Sequence, residues 1–148
     1  MKRVIWSTDV HLNFAEPAVL TEYLECLRDA SPDAFLLGGD IAESESIVDY
    51  LSLLDDHLCC PIYFVLGNHD YYYGSIVQVR QAVRELCGRR RNLVFLTDDS
   101  VVELCSSVGL VGHDEEQLVR GRTWRQGLLQ PQQLVDLEVL SIRERHVP

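Results

Sequence analysis

The hydrophobic positions of the first ninety residues follow two alternating periods. Short apolar runs, typical of buried strands, occupy residues 3–8, 34–37 and 62–66. Between and after these runs, apolar residues recur three and four positions apart, which is the spacing of one helix face. This strict alternation predicts βαβ crossovers and a parallel sheet, an α/β fold in which ligands collect at the carboxyl ends of the strands.

Three helices are predicted from the second period. The first begins near Pro17, because proline suits the first helical position, and ends at Ser31. The second follows a serine cap, Ser44 or Ser46, and the third runs from about Ser75 to a glycine stop. Their apolar faces consist of Leu20, Tyr23, Leu24 and Leu27, then Ile47, Tyr50, Leu51, Leu54 and Leu58, and finally Ile76, Val79, Val83, Leu86 and Cys87.

The pattern changes after Arg91. Short extended runs at 93–96, 100–105 and 108–111 predict further strands, the last two forming a hairpin. From Gly112 onward the pattern weakens, and a closing helix is indicated only by Leu134, Leu137, Val139 and Leu140. The sequence contains no internal repeat and no linker, so residues 1–148 are expected to form a single domain.

Composition narrows the class of protein. With 47% hydrophobic and 24% charged residues, the chain resembles an ordinary soluble globular protein. Its apolar stretches are too short for a membrane span, and polar residues 7–9 interrupt any signal-peptide pattern at the N-terminus. The five cysteines show no CxxC spacing, which favours a reducing compartment. We therefore expect a cytoplasmic protein without a membrane partner.

The net charge of -10 restricts the partners further. Such a chain repels a nucleic-acid backbone, so a nucleic-acid partner is not expected. An acidic protein can act on phosphate groups when bound cations reverse the sign of the local field. The charge is therefore compatible with phosphate chemistry only if the protein binds metals.

Residues that can bind metals follow each of the first three predicted strands. The first strand runs into Asp9 and His11, the second into Asp40, and the third into Asn68 and His69. Asp9 and His11, two positions apart, can offer a carboxylate and an imidazole to one cation. Asp40 can bridge two metals roughly 3.5–4 Å apart, an arrangement that clamps a phosphoryl group and activates a hydroxide for in-line attack.

Asn68 and the two residues after it complete the predicted site. Asn68 would bind the second metal, and His69 would face the substrate, protonating the leaving oxygen or stabilising developing charge. Asp70 would fix the tautomer of His69. The alternative, that these Asp and Asn residues merely cap turns and helices, is disfavoured because the coincidence occurs at three strand ends.

Three motifs in this order resemble those of the calcineurin-like metallophosphoesterases: Asp9-x-His11, Gly39-Asp40 and Gly67-Asn68-His69-Asp70. The resemblance covers residues 1–112 and implies a four-layer αββα sandwich with two divalent metal ions, Mn²⁺, Fe²⁺/Fe³⁺ or Zn²⁺. It implies that Asp9, His11 and Asp40 bind one metal. It also implies that Asp40 and Asn68 bind the other, and that His69 is the catalytic histidine.

The chain departs from the family after this point. The family supplies further histidines from its C-terminal half, two of them in a Gly-His-x-His motif, whereas this sequence has only His146 after His113. We expect residues 113–148 to be a divergent or truncated tail, which leaves the second sheet incomplete and the second metal site weak. His113 is either a replacement ligand or a polar turn residue.

The sequence thus predicts a metal-dependent phosphoesterase that hydrolyses a phosphomonoester or phosphodiester by attack of metal-bound hydroxide. Its substrate would be a phosphorylated small molecule or protein, and residues 71–73, three tyrosines, either stack on an aromatic leaving group or cover the core edge. The alternative is a binding or interaction protein that keeps the fold with an impaired site. A second subunit could supply missing ligands, so a homo-oligomer is also considered.

Overall fold

Four parallel strands form the centre of the fold. The computed structural model describes residues 2–98, 101–105, 108–114 and 138–142. Strands β1 (Lys2–Ser7), β2 (Ala34–Leu37), β3 (Ile62–Phe64) and β4 (Leu93–Phe95) are adjacent in the order β4-β3-β2-β1. All neighbouring pairs among them are parallel, as the alternation of the two hydrophobic periods predicts.

Three helices connect these strands and cover one face of the sheet. They are α1 (Pro17–Asp29), α2 (Ile47–His57) and α3 (Ile76–Cys87), close to the predicted positions. Their buried residues pack against the strand residues that point to the same side, such as Phe35 and Phe64. No helix in the described part of the chain is both long and apolar enough to cross a membrane.

A second, smaller sheet covers the opposite face. Strands β5 (Val102–Cys105) and β6 (Val108–Leu110) pair antiparallel, which confirms the predicted hairpin. Leu104 of this sheet packs with Val4 and Ala34 of the large sheet in a separate apolar cluster. The described residues therefore supply three of the four layers of the predicted sandwich, namely the helices, the large sheet and the small sheet.

An additional strand corrects one prediction. Residues Glu138–Ile142 form β7, which pairs antiparallel with β1 from Trp6↔Glu138 to Lys2↔Ile142. The predicted helix is therefore wrong at Val139 and Leu140, while Leu134 and Leu137 lie outside the described residues. Without β7, the backbone N–H and C=O groups along this edge of β1 would be unpaired. Pairing with them gives residues 138–142 a ladder of hydrogen bonds, which outweighs a weak helical pattern.

Short 3₁₀ turns follow three of the parallel strands. They span Leu12–Phe14, His69–Tyr71 and Leu96–Asp98. The turns after β1 and β3 carry or adjoin the predicted metal-binding residues. The fold thus delivers these residues to the carboxyl edge of the sheet.

Candidate metal centre

The segments after β1 and β2 are held side by side by backbone hydrogen bonds. The N–H of Asp9 donates to the carbonyl of Gly39 at 3.1 Å, and the N–H of His11 donates to the carbonyl of Asp40 at 3.0 Å. The next bond, from Leu12 to the carbonyl of Ile41, is 2.8 Å long. This irregular ladder continues the β1–β2 pairing beyond the sheet and places His11 beside Asp40.

Left-handed backbone conformations are concentrated in these two segments. Asp9, His11 and Asp40 have φ values of 53°, 42° and 50°. Such values are uncommon outside glycine and carry a conformational cost, and they cluster at functional sites. Gly39, with φ of 93°, is required for space as well, because a Cβ there would lie 2.7 Å from the backbone N of Gly67.

His11, Asp40 and His69 form a compact group of potential metal ligands. One ligand atom from each lies within 4.8 Å of the ligand atoms of the other two. The imidazole rings of His11 and His69 meet edge to face with centroids 4.6 Å apart, and the Oδ1 of Asp40 accepts the backbone N–H of His69 at 3.0 Å. Residues from three different turns therefore converge on one point.

The two histidines leave buried nitrogen atoms without partners. Nδ1 of His11 and Nδ1 of His69 are buried, and neither has a hydrogen-bond partner among the described residues. An unsatisfied buried polar atom is costly, so its presence in a native structure requires an explanation. Imidazole nitrogens next to a carboxylate suit Mn²⁺, iron or Zn²⁺, and the side chains therefore fit a metal ion.

The surroundings of His11 favour its neutral form. Burial lowers the pKa of His11, and the adjacent His69 lowers it further, against the opposing effect of the Asp40, Asp9 and Glu43 charges. A neutral imidazole is the state that binds a metal. The electrostatics of the site therefore agree with the ligand geometry.

Asp9 and Asn68 lie on the same turns, and Asp9 falls outside this group of three. Asp9 is exposed, and its Oδ2 accepts the hydroxyl of Thr8 at 2.6 Å. The side-chain nitrogen of Asn68 donates to the hydroxyl of Tyr72 at 2.9 Å, which leaves the Oδ1 of Asn68 for another partner. The ligand roles of Asp9 and Asn68 stay predictions.

Asp70 does not hold His69 in the described structure, which corrects its predicted role. Its side chain is fully buried, with Oδ1 accepting the N–H groups of Ile41 and Ala42 at 2.8 and 2.9 Å. Oδ2 accepts the N–H of Gly67 at 2.8 Å. Successive side chains in a 3₁₀ turn diverge by about 120°, so His69 faces the site while Asp70 faces the interior.

Burial is the main influence on the ionisation of Asp70. It raises the pKa of Asp70 to about 7, although the three backbone hydrogen bonds oppose that shift. The carboxylate links the loop of residues 67–70, here called loop 67–70, to the segment that follows Asp40. Its role is therefore to fix two site-bearing segments relative to each other.

The three successive tyrosines have different environments. Tyr71 is buried, as expected for a residue that covers the core edge. The ring of Tyr72 packs against His69 with centroids 4.4 Å apart, whereas Tyr73 is 83% exposed. Tyr71 therefore fits the core-edge interpretation, and stacking of Tyr72 or Tyr73 on a leaving group stays a prediction.

His113 and Asp114, two adjacent residues after β6, have different environments. His113 is exposed and lies outside the group of His11, Asp40 and His69, which favours its interpretation as a polar turn residue. Asp114 is buried and accepts hydrogen bonds from both Leu66 and Tyr71. The one feature of the sequence that points to Asp114 is a carboxylate placed directly after an apolar strand pattern.

Comparison with known proteins shows which families the chain resembles. A family model described as calcineurin-like phosphoesterase matches residues 2–137. The UDP-2,3-diacylglucosamine hydrolase of Stenotrophomonas maltophilia is 28% identical over 124 residues, which cover 75% of this chain and 46% of that protein. A probable cyclic nucleotide phosphodiesterase of a Synechococcus species is 37% identical over 65 residues, 43% of this chain and 22% of its own length.

A solved crystal structure shares the architecture. It aligns with a TM-score of 0.55 and 13% identity, covering 76% of this chain and 52% of its own. At this identity, the likeness shows the fold alone. The chain spans about half the length of the hydrolases that it matches.

Proposed function

The chain belongs to the calcineurin-like phosphoesterase family, and from this premise we propose that it is a metal-dependent hydrolase of phosphate esters. The observation that carries the proposal is the group of His11, Asp40 and His69 at the carboxyl edge of the sheet. Two of its members have buried nitrogen atoms without hydrogen-bond partners in the described residues. Such a site supports divalent metal chemistry on a phosphoryl group.

We assign the metal ligands as follows. Asp9, His11 and Asp40 would hold one divalent ion, and Asp40 and Asn68 would hold the second. When bound, such ions polarise the phosphoryl oxygens and make water a better nucleophile. The shared role of Asp40 is supported by its contacts with both flanking segments, because its carbonyl accepts the N–H of His11 and its Oδ1 accepts the N–H of His69.

His69 is the proposed proton donor to the leaving oxygen. Asp70 does not orient His69. Instead, Asp40 accepts the backbone N–H of His69, and the His69 ring packs between the rings of His11 and Tyr72. These contacts restrict the imidazole without using a carboxylate. A positioned imidazole can then transfer a proton to the departing group.

We propose a small nucleotide-containing phosphate ester as the substrate. One relative is named for a UDP-linked sugar and another for cyclic nucleotides. Exposed Tyr73 and Phe14, whose ring lies 6.2 Å from that of His11, offer aromatic surfaces beside the site. Stacking of a base on such rings is a sequence-tolerant source of affinity.

The test is a metal-dependence assay on a generic aryl phosphate and on nucleotide phosphodiesters. Turnover that vanishes after chelation and returns with Mn²⁺ supports the proposal. The second candidate, a binding protein with an impaired site, is favoured by the position of Asp9, which is exposed and lies outside the group of His11, Asp40 and His69. It predicts metal binding without turnover on any of these esters.

The ligand assignment predicts unequal metal sites. Asp9, His11 and Asp40 supply three ligands to one ion, whereas Asp40 and Asn68 supply two to the other, one of them neutral. Calorimetric titration of Mn²⁺ into metal-free protein should therefore show one strong and one weak site. Two strong sites of equal affinity would contradict this assignment and indicate ligands from other residues or from a second copy of the chain.

Substitution of the proposed proton donor gives a second prediction. His69→Ala should lower kcat about 10²- to 10⁴-fold while metal content is retained, because a proton donor is not a ligand. Elemental analysis and steady-state kinetics measure the two effects. His57→Ala, a histidine change on α2 whose Nδ1 contacts the carbonyl of Leu53, is the matched control. Loss of metal from His69→Ala would instead identify His69 as a ligand.

A further inference from the structure

Asp114 is a buried carboxylate with four hydrogen-bond partners. Its Oδ1 accepts the backbone N–H of Leu66 at 3.0 Å and the hydroxyl of Thr97. Its Oδ2 accepts the hydroxyl of Tyr71 at 2.6 Å and the Nε of Arg80 at 2.9 Å. The residue is only 4% exposed, so these bonds replace the water that a free carboxylate would hold.

Two of these partners flank the loop that carries Asn68 and His69. Leu66 immediately precedes loop 67–70, and Tyr71 immediately follows it. One carboxylate therefore fastens both ends of the loop from a position 48 residues away from Leu66 in the sequence. Thr97, in the turn after β4, and Arg80, on α3, join the same carboxylate to two further elements.

The charge of Asp114 is balanced locally. Arg80 forms an ion pair with it, and the guanidinium also lies 5.9 Å from the centre of the Tyr71 ring. A buried carboxylate without such a partner would be strongly destabilising. Burial and the hydrogen bond to Asp114 raise the pKa of Tyr71, which keeps its hydroxyl protonated and therefore able to donate.

We propose that Asp114 is a positioning residue for the metal centre. By holding both ends of loop 67–70, it fixes Asn68 and His69 relative to His11 and Asp40. Asp114 itself lies outside the ligand group and acts through the loop. The inference rests on the proposed function, because it assigns Asp114 a role in the metal site of that function.

The test compares Asp114→Asn with Asp98→Asn in the full chain. Both aspartates pair with arginines of α3, but Asp98 bonds to Arg84 at 2.7 Å and is not bonded to loop 67–70. Asp114→Asn should lower Mn²⁺ affinity and kcat by about 10- to 100-fold, the range typical of residues that orient ligands. KM should change less, and Asp98→Asn should leave all three values near those of the parent protein.

Amide hydrogen exchange in metal-free protein provides a readout independent of activity. In Asp114→Asn, the amides of Leu66 and loop 67–70 should exchange faster, whereas those in the middle of α1 should not change. Equal acceleration in α1 would show a general structural role and overturn the proposal. So would unchanged exchange in the loop or unchanged Mn²⁺ affinity.

Tyr71→Phe is a milder variant if Asp114→Asn does not fold. It removes the hydroxyl at one end of the loop and keeps the ring in the core, so faster exchange confined to the loop is expected again. Exchange throughout the chain at the parent rate would overturn the proposal. If the parent protein neither binds Mn²⁺ nor hydrolyses esters, the proposed function fails, and the role of Asp114 in the metal centre fails with it. Amide hydrogen exchange then still measures whether Asp114 fixes loop 67–70.

Discussion

Asp40→Ala should remove more metal than any other single substitution in the site and reduce hydrolysis to background. Asp40 is the carboxylate in the group with His11 and His69, and it is assigned to both metals. Loss of that charge leaves only the imidazoles of His11 and His69 as members of the group. Elemental analysis after dialysis measures the metal, and circular dichroism verifies that the variant is folded.

Two comparison variants separate the causes of metal loss. Asp9→Ala should deplete mainly one metal, because Asp9 is assigned to one site. Asp40→Asn keeps an oxygen that can accept the N–H of His69, which Asp40 bonds at 3.0 Å, but lacks the negative charge. Metal loss in Asp40→Asn would therefore identify the charge as the cause. Retention of parental metal content in Asp40→Ala would show that the bridging role is wrong.

The sequence was sufficient to predict the features that depend on local pattern. The helix that begins at Pro17 and the third helix, from Ile76 to Cys87, follow from apolar periodicity and end signals. The meeting of His11, Asp40 and His69 follows from topology, because parallel strands bring their carboxyl ends to one edge. Nothing beyond strand order was needed to expect this convergence.

Contacts between distant segments could not be predicted in the same way. Strand β7 pairs Glu138 with Trp6, and no local period encodes which edge a strand will join. The bond between Asp114 and Leu66 likewise depends on the packing of the small sheet near the end of β3. Hydrophobic periodicity specifies which face of an element is buried, but not which polar atoms meet there.

The roles of Asp70 and His69 illustrate a different limit. Adjacent residues in a motif were expected to act on each other, but the 3₁₀ turn sends their side chains in different directions. Asp70 thus belongs to the interior, together with Asp114, and the two carboxylates bond backbone N–H groups at Gly67 and Leu66. The loop that contains His69 is therefore held by hydrogen bonds to two buried carboxylates.

Asp70→Ala should have the largest effect on folding stability. The substitution leaves the N–H groups of Ile41, Ala42 and Gly67 without their present acceptor. Each buried unsatisfied donor costs about 1–3 kcal/mol, so the three together approach the total stability of an ordinary domain, about 5–15 kcal/mol. Urea unfolding followed by tryptophan fluorescence should show a much lower midpoint or an unfolded protein.

Asp70→Asn and Asp98→Ala are the comparison variants for this prediction of unfolding. Asp70→Asn keeps the shape and one acceptor oxygen, but its NH₂ group faces a backbone donor, so its unfolding midpoint should lie between those of the parent and Asp70→Ala. Asp98→Ala removes a carboxylate from an exposed ion pair with Arg84, and such pairs contribute little. If Asp70→Ala unfolded at the same urea concentration as Asp98→Ala, the three N–H groups would have found other acceptors. Asp70 would then not be the link between loop 67–70 and the segment after Asp40.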